Sequence, residues 1–149
     1  VSIDGTERSR IGKGFVILLG IRKGDTREAA KSLAERCASL RIFSDAEGKM
    51  NLSLREIQGS ALVVSQFTLY ADTRKGNRPG FSEACPPDQA EPLYEEFLKE
   101  LARLLGPENV QTGVFRAMME VGLVNDGPVT IMLEDRPTGD HGLTNNGGS

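Results

Sequence analysis

Short, continuous apolar runs bounded by glycine or by polar groups constrain this chain more than any other feature. Residues 14–20 read Gly-Phe-Val-Ile-Leu-Leu-Gly, residues 61–64 read Ala-Leu-Val-Val, and residues 129–133 read Val-Thr-Ile-Met-Leu. Runs this short, edged by turn formers, are most simply buried strands. Between them lie two segments of helical period. Asp25-Thr26 opens the first, where Ala29, Ala30, Leu33, Ala34, Cys37 and Leu40 share one face and Arg27, Glu28, Lys31, Glu35 and Arg36 fall mostly outside it. The second, over 89–105, turns Leu93, Phe97, Leu101, Leu104 and Leu105 inward and stops at Gly106-Pro107. With 149 residues, 38% of them hydrophobic, the chain fills one core and is short for two. A single α/β domain is expected.

Turn chemistry divides the rest. Residues 1–10 read as a hairpin around Asp4-Gly5, and 44–49 as a turn that lacks the oxygen series of a calcium loop at Asp45. A strand is expected over 61–70. From 71 to 88 the chain is polar and broken by Gly76, Pro79, Gly80, Pro86 and Pro87, long enough for a functional loop, with Arg74, Lys75 and Arg78 as its basic group. Further on, Phe115, Ala117, Met119, Val121 and Leu123 alternate with Arg116, Met118, Glu120 and Gly122, the period of a half-buried strand. That strand runs into Asn125-Asp126-Gly127-Pro128, a second strand is expected over 129–134, and the Gly/Asn/Thr-rich 138–149 tail reads as disordered. Met118, Met119 and Met132 read as core filler, with Met119 able to line a site at its strand end.

Several chemistries are disfavoured. Charged residues make up 26% of the chain and the net charge is −3, which argues against a broad nucleic-acid-coating surface; any RNA contact must be local. Cys37 and Cys85 stand apart and read as reduced thiols of a cytoplasmic protein. No run approaches the roughly 18–20 apolar residues of a membrane span. The one histidine, His141, lies in the tail, so neither a Ser-His-Asp arrangement nor a metal ligand set is recognisable, and no cofactor is expected.

Polar groups at the ends of the apolar runs mark the candidate site. Ser65, Gln66 and Thr68 close the 61–64 run inside a β-prone stretch, where an unpartnered buried hydroxyl or amide costs about 1–3 kcal/mol. Gly127-Pro128 removes a backbone donor and lets Gly127 take angles denied to other residues, so nearby carbonyls can turn out of the sheet. On these residues alone, a hydrogen-bonded strand end and a plain turn remain the simpler readings.

The joint order of Ser65-Gln66-Phe67-Thr68-Leu69, Ala71-Asp72-Thr73 and Asn125 to Thr130 resembles the D-aminoacyl-tRNA deacylase (D-tyrosyl-tRNA deacylase) family. Leu40-Arg41-Ile42-Phe43, Gly48-Lys49-Met50-Asn51, Arg78-Pro79, Thr112-Gly113 with Phe115, and Met119 with Val121 extend the likeness over about residues 1–135. Gly80 departs from the serine common after Arg-Pro in relatives. Family members also carry a further first strand, so a domain over 1–137 lacking that strand is expected.

The resemblance implies a mixed sheet curled into a barrel-like layer with both helices outside, in a homodimer with cross-subunit sites. It implies hydrolysis of the ester of D-aminoacyl-tRNA, and of glycine mischarged on tRNA-Ala. Phe67 and Thr68 are then the catalytic segment, with backbone N–H groups near Phe67 stabilising the oxyanion. Ser65, Gln66, Met119, Gly127 and Pro128 bind substrate, a cis Gly127-Pro128 pair rejects L-aminoacyl groups, and Arg74, Lys75 and Arg78 meet the tRNA. The tRNA 2′-hydroxyl assists cleavage. The competing readings are an esterase with Thr68 as nucleophile and a non-catalytic module for the tRNA acceptor end.

Overall fold

In the computed structural model, which describes residues 1–135, the apolar runs at 14–20 and 61–64 become neighbouring strands. The chain opens with β1 (Ser2–Ile3) and β2 (Thr6–Glu7), an antiparallel pair turned by Asp4 and Gly5, both at positive φ. β3 (Gly14–Leu19) follows, then α1 (Arg27–Ser39), and the short antiparallel pair β4 (Phe43–Ser44) and β5 (Met50–Leu52). Next come β6 (Ser60–Ser65), α2 (Pro87–Leu105) and β7 (Val110–Thr112). β6 is the centre of a three-stranded sheet, parallel to β3 on one side and to β7 on the other.

The two helices are where their stripes place them. Thr26 caps α1 by accepting from the Ala29 N–H at 3.1 Å, satisfying one of the orphan donors of the first turn. α2 starts at Pro87 rather than at 89, because proline at the first helical position lacks only a donor that has no intrahelical partner anyway. It ends at Gly106, whose φ of 91° suits glycine.

Alternation along the sheet sorts the core into two layers. Ala61 and Val63 of β6 meet Ala34, Cys37 and Ala38 of α1 and Ala90, Tyr94, Phe97 and Leu101 of α2. Leu62 and Val64 face the other way, onto Val1, Ile11, Val16, Met119 and Val121. Each fully buried large side chain, such as Phe97, Leu101 or Leu54, contributes about 1.5–3 kcal/mol. The Tyr94 hydroxyl donates to the Val63 carbonyl at 3.2 Å, and burial pushes the phenol up to about 12. The same carbonyl accepts from the Gly113 N–H at 2.9 Å, so its two lone pairs bind helix and strand together.

Several expectations are corrected. The described residues form separate sheets of three, two and two strands, and no barrel-like closure joins them. The strands expected over 115–123 and 129–134 are not formed: Phe115, Ala117, Met119 and Val121 are indeed half-buried between exposed neighbours, but the first segment's ladder contact is a single bridge between Ser2 and Glu120. Strand structure needs a neighbour's hydrogen bonds as well as the right period. Met118 and Met132, read as core filler, are each 91% exposed; Met119 alone of the three packs inward. Asp45 accepts from the Glu47 and Lys49 N–H groups, which makes the 44–49 segment a side-chain-closed turn. Cys37 and Cys85 are both free thiols. The 138–149 tail, with His141, lies outside the described residues.

Candidate active site

Parallel pairing puts the carboxyl ends of β3, β6 and β7 at one pole of the sheet, the end where open α/β sheets place ligands. Ser65 ends β6 there. The strand expected to run on to Tyr70 stops instead, because the Gln66 N–H donates to the Leu19 carbonyl at 2.8 Å and the chain then winds into a 3-10 turn, Phe67–Tyr70. The turn packs over Gly20, where a Cβ would lie 3.1 Å from both Leu69 Cβ and the Tyr70 ring. Any larger residue there would have to push these side chains back by a few tenths of an ångström.

Ser65 and Gln66 are half-buried, as their β-prone setting suggests, whereas Phe67 and Thr68 are exposed. The Gln66 side-chain amide donates to the Thr68 hydroxyl. Leu69 and Ala71 N–H groups close the turn onto the Gln66 and Thr68 carbonyls. The first N–H groups of a helical turn have no partner within it. Among the described residues, those of Phe67 and Thr68 donate to no acceptor elsewhere either. Two adjacent free N–H groups at the mouth of a sheet make a ready anion-stabilising pair.

Met119 reaches this pole from the far layer. Its Sδ accepts from the Val114 N–H at 3.4 Å and occupies the space a Cβ on Gly113 would take, with Val64 beside it. A glycine following a strand was a signal for such close approach, one that hydropathy alone does not provide.

The basic loop folds back as a hairpin closed by Asp72 and Gly80, which exchange both backbone hydrogen bonds at 2.7 and 2.9 Å. Phe81, just beyond it, sets its ring edge-to-face against Phe67 at 5.2 Å, so the hairpin leans on the 3-10 turn. Its three cations are not equivalent. Arg74 binds the Asp72 carboxylate in fork geometry, Nε to Oδ1 at 2.9 Å and Nη2 to Oδ2 at 2.8 Å, whereas Lys75 and Arg78 form no ion pair among the described residues. The Arg74 hydrogen bonds hold the Asp72 carboxyl down at about 2, against its usual 3.8. A depressed carboxyl supports the folded hairpin above its unfolded value and loses that support as pH falls through about 2. An Arg74→Ala variant is expected to raise the Asp72 titration, followed by carboxyl-carbon NMR, toward the ordinary carboxylate range while leaving it somewhat depressed, because the backbone N–H of residue 74 still donates to Oδ1 at 3.0 Å.

The second candidate segment is an exposed, tightly organised turn. The Gly127–Pro128 peptide bond is cis, and Gly127 sits at φ 138°, where a side chain is strained. Asn125 holds the turn from within: its Oδ1 accepts from the Val129 N–H at 2.8 Å and its Nδ2 donates to the Thr130 hydroxyl at 3.0 Å. Among the described residues, no hydrogen bond or ion pair joins this turn to the 65–70 segment of the same chain. The structure therefore gathers Ser65, Gln66, Phe67, Thr68 and Met119 at one pole, with Arg74, Lys75 and Arg78 on the hairpin beside them, and holds Gly127 and Pro128 in an exposed turn that no hydrogen bond joins to that segment among the described residues.

A cavity of about 540 Å³, lined by Leu54, Arg55, Gln58, Gly59, Leu104 and Asn109 among others, lies at the opposite pole, where β6 begins. It is remote from these groups. No cluster of metal-ligating side chains occurs among the described residues.

Known proteins are similar to this chain over most of its length. The family model for D-Tyr-tRNA(Tyr) deacylase matches residues 1–134. The D-aminoacyl-tRNA deacylase of Roseiflexus castenholzii is 59% identical over 134 residues, covering 90% of this chain and 84% of its own. That of Akkermansia muciniphila is 57% identical over 136 residues, covering 91% and 90%. Among solved structures, a c-Myc DNA unwinding element binding protein superposes with a TM-score of 0.87 at 41% identity over 91% of both chains. A probable eukaryotic D-amino acid tRNA deacylase, at 18% identity and a TM-score of 0.66 over 78% of this chain and 83% of its own, shares the fold. By the extent of these matches, the chain belongs to the D-Tyr-tRNA(Tyr) deacylase family.

Proposed function

We propose that this chain cleaves the ester joining a D-amino acid to the 3′ end of tRNA, releasing the amino acid and intact tRNA. The observation that carries the reading is the pair of unused N–H groups at Phe67 and Thr68, on a turn at the carboxyl pole of a parallel sheet, in a chain of this family. Water attacks the ester carbonyl, and those N–H groups take the charge that develops on its oxygen. The neighbouring ribose 2′-hydroxyl assists the attack. Thr68 is a poor nucleophile by comparison, since its hydroxyl is engaged by the Gln66 amide and, among the described residues, no histidine or carboxylate is hydrogen-bonded to it.

The Gly127–Pro128 turn supplies selection rather than chemistry. Its carbonyls hold the substrate amino group, and the rigid wall beside them clashes with an L side chain, which is discrimination by exclusion. Glycine has no side chain to exclude, so Gly-tRNA, including glycine mischarged on tRNA-Ala, is also cleaved. The turn belongs to the site of a second copy: among the described residues no hydrogen bond ties it to its own 65–70 segment, and the exposed Met118, Leu123, Val124 and Met132 leave an apolar surface for a homodimer to cover. Lys75 and Arg78 face the tRNA, with Arg74 held in reserve by Asp72. The enzyme works in the cytoplasm, beside translation, with no cofactor.

Release of free tyrosine from D-Tyr-tRNA, with L-Tyr-tRNA left intact at the same enzyme concentration, is the expected result. Equal turnover of the two would end the reading, and protection of both would leave only a binding module. Thr68→Ala is expected to keep activity within about tenfold of the parent; complete loss with the fold and tRNA binding intact would make Thr68 the nucleophile.

A further inference from the structure

We propose that Ser32 and Arg36 of α1 are positioning residues for the Gly127–Pro128 turn, because they clamp the end of the arm that carries it; this rests on the turn acting as the enantiomer selector. From Gly113 onward the chain runs as an arm whose ladder contact is the Ser2–Glu120 bridge, with backbone hydrogen bonds of 2.9 and 2.8 Å. That bridge fixes the approach to the turn. Past the turn, Thr130, Ile131 and Met132 are exposed and supply no comparable hold.

The hold comes from α1. The Arg36 guanidinium donates from Nη1 to the Glu134 carbonyl at 2.9 Å, and the Ser32 hydroxyl donates to the Asp135 carboxylate at 3.1 Å. Residues four apart lie one turn above one another on a helix, so the pair forms one docking strip for two consecutive arm residues. Leu133, just before them, packs against the helix-side core. The turn is thus suspended between Glu120 at one end and residues 133–135 at the other. Loosening the second end lets the turn swing about the first, and in a reaction that depends on near-attack geometry a displacement of about 1 Å can lower the rate by about 10²-fold.

The clamp also brings the arm close to the other wall of the site. Tyr70, last residue of the 3-10 turn, and Asp25, just before the Thr26 cap, both lie near enough to Glu134 to feel its charge. Burial is the main reason each is pushed up, and the acidic arm end adds to it. α1 therefore has the catalytic turn near its start and holds the selector arm along its flank, keeping the two in register within one protomer before the arm reaches the partner's site.

The test uses the full chain with Arg36→Met, Arg36→Lys, Ser32→Ala and the Ser32→Ala/Arg36→Met double variant, each assayed on D-Tyr-tRNA and L-Tyr-tRNA. Arg36 is exposed, so Arg36→Met is expected to fold normally, and it keeps the test valid were the double variant to unfold. Arg36→Met is expected to lower kcat on the D substrate about tenfold with KM unchanged, and the double variant to narrow the D-over-L ratio by a further factor of about ten. Arg36→Lys, which keeps a donor, recovers most of the loss. Amide hydrogen exchange over 125–133 quickens in Arg36→Met, a readout that does not depend on activity. Unchanged exchange, an unchanged D-over-L ratio, or Arg36→Lys behaving like Arg36→Met would overturn the clamp. A parent enzyme that fails to hydrolyse D-Tyr-tRNA would instead overturn the deacylase reading.

Discussion

Replacing Phe67 by proline is expected to slow D-aminoacyl-tRNA hydrolysis about 10²–10³-fold more than replacing it by alanine does. Both variants remove the ring and its edge-to-face contact with Phe81, so that loss cancels in the comparison. Proline additionally deletes the N–H of residue 67. The backbone tolerates it: Phe67 opens a helical turn, a position where proline's fixed φ is favourable, and Gln66 at φ −139° and ψ 82° is outside the helical region that proline disfavours in its predecessor. No hydrogen bond of the fold is lost, because that N–H donates to nothing among the described residues. Single-turnover rates with thermal midpoints alongside give the answer. Equal rates for the two variants would remove the Phe67 N–H from the reaction.

The second large effect is on stability. A Cβ on Gly14 would lie 1.7 Å from the Ser60 carbonyl oxygen and 2.7 Å from its carbon, both backbone atoms held in the β3–β6 register. No rotamer relieves a clash between main chains, so β3 has to part from β6 at its first pair. Gly14→Ala is expected to destabilise the fold by about 3–5 kcal/mol, a large share of the 5–15 kcal/mol typical of a domain. The control is Gly12→Ala, two residues away, where the added Cβ meets nothing within 4 Å and the denaturation midpoint should barely move. Urea titration of the three proteins checks both outcomes.

Much of the scaffold was legible because one residue pattern answered one physical need. The stripe through Ala34 and Cys37 on α1 and through Phe97 and Leu101 on α2 is buried as the period requires, and the glycine-bounded run at 14–20 is β3. The 3-10 turn was not legible. Phe67, Leu69 and Tyr70 are good strand residues, and what stops the strand is a tertiary event, the Gln66 N–H meeting the Leu19 carbonyl while Gly20 leaves room for the Tyr70 ring. The 115–121 stretch shows the converse, since its side chains alternate as expected without the hydrogen bonds that define a strand, while Leu123, expected on the same buried face, is exposed. Within the site, Ser65, Gln66 and the turn at Asn125 could be singled out from polarity at the ends of apolar runs. The pairing of Arg74 with Asp72 could not, because charge composition does not say which cation is already engaged.

The central place of β6 bears on how the protein is made. Gly14 pairs with Ser60 and Ala61 with Val110, so each parallel ladder joins stretches separated by a whole helix, and such non-local pairings form late and slowly. During synthesis the floor beneath the 3-10 turn is incomplete until residue 112 has left the ribosome. Until then α1 is available to form while β3 and the 61–64 run lack their full complement of neighbours, a window in which unpaired strand edges expose the nascent chain to aggregation.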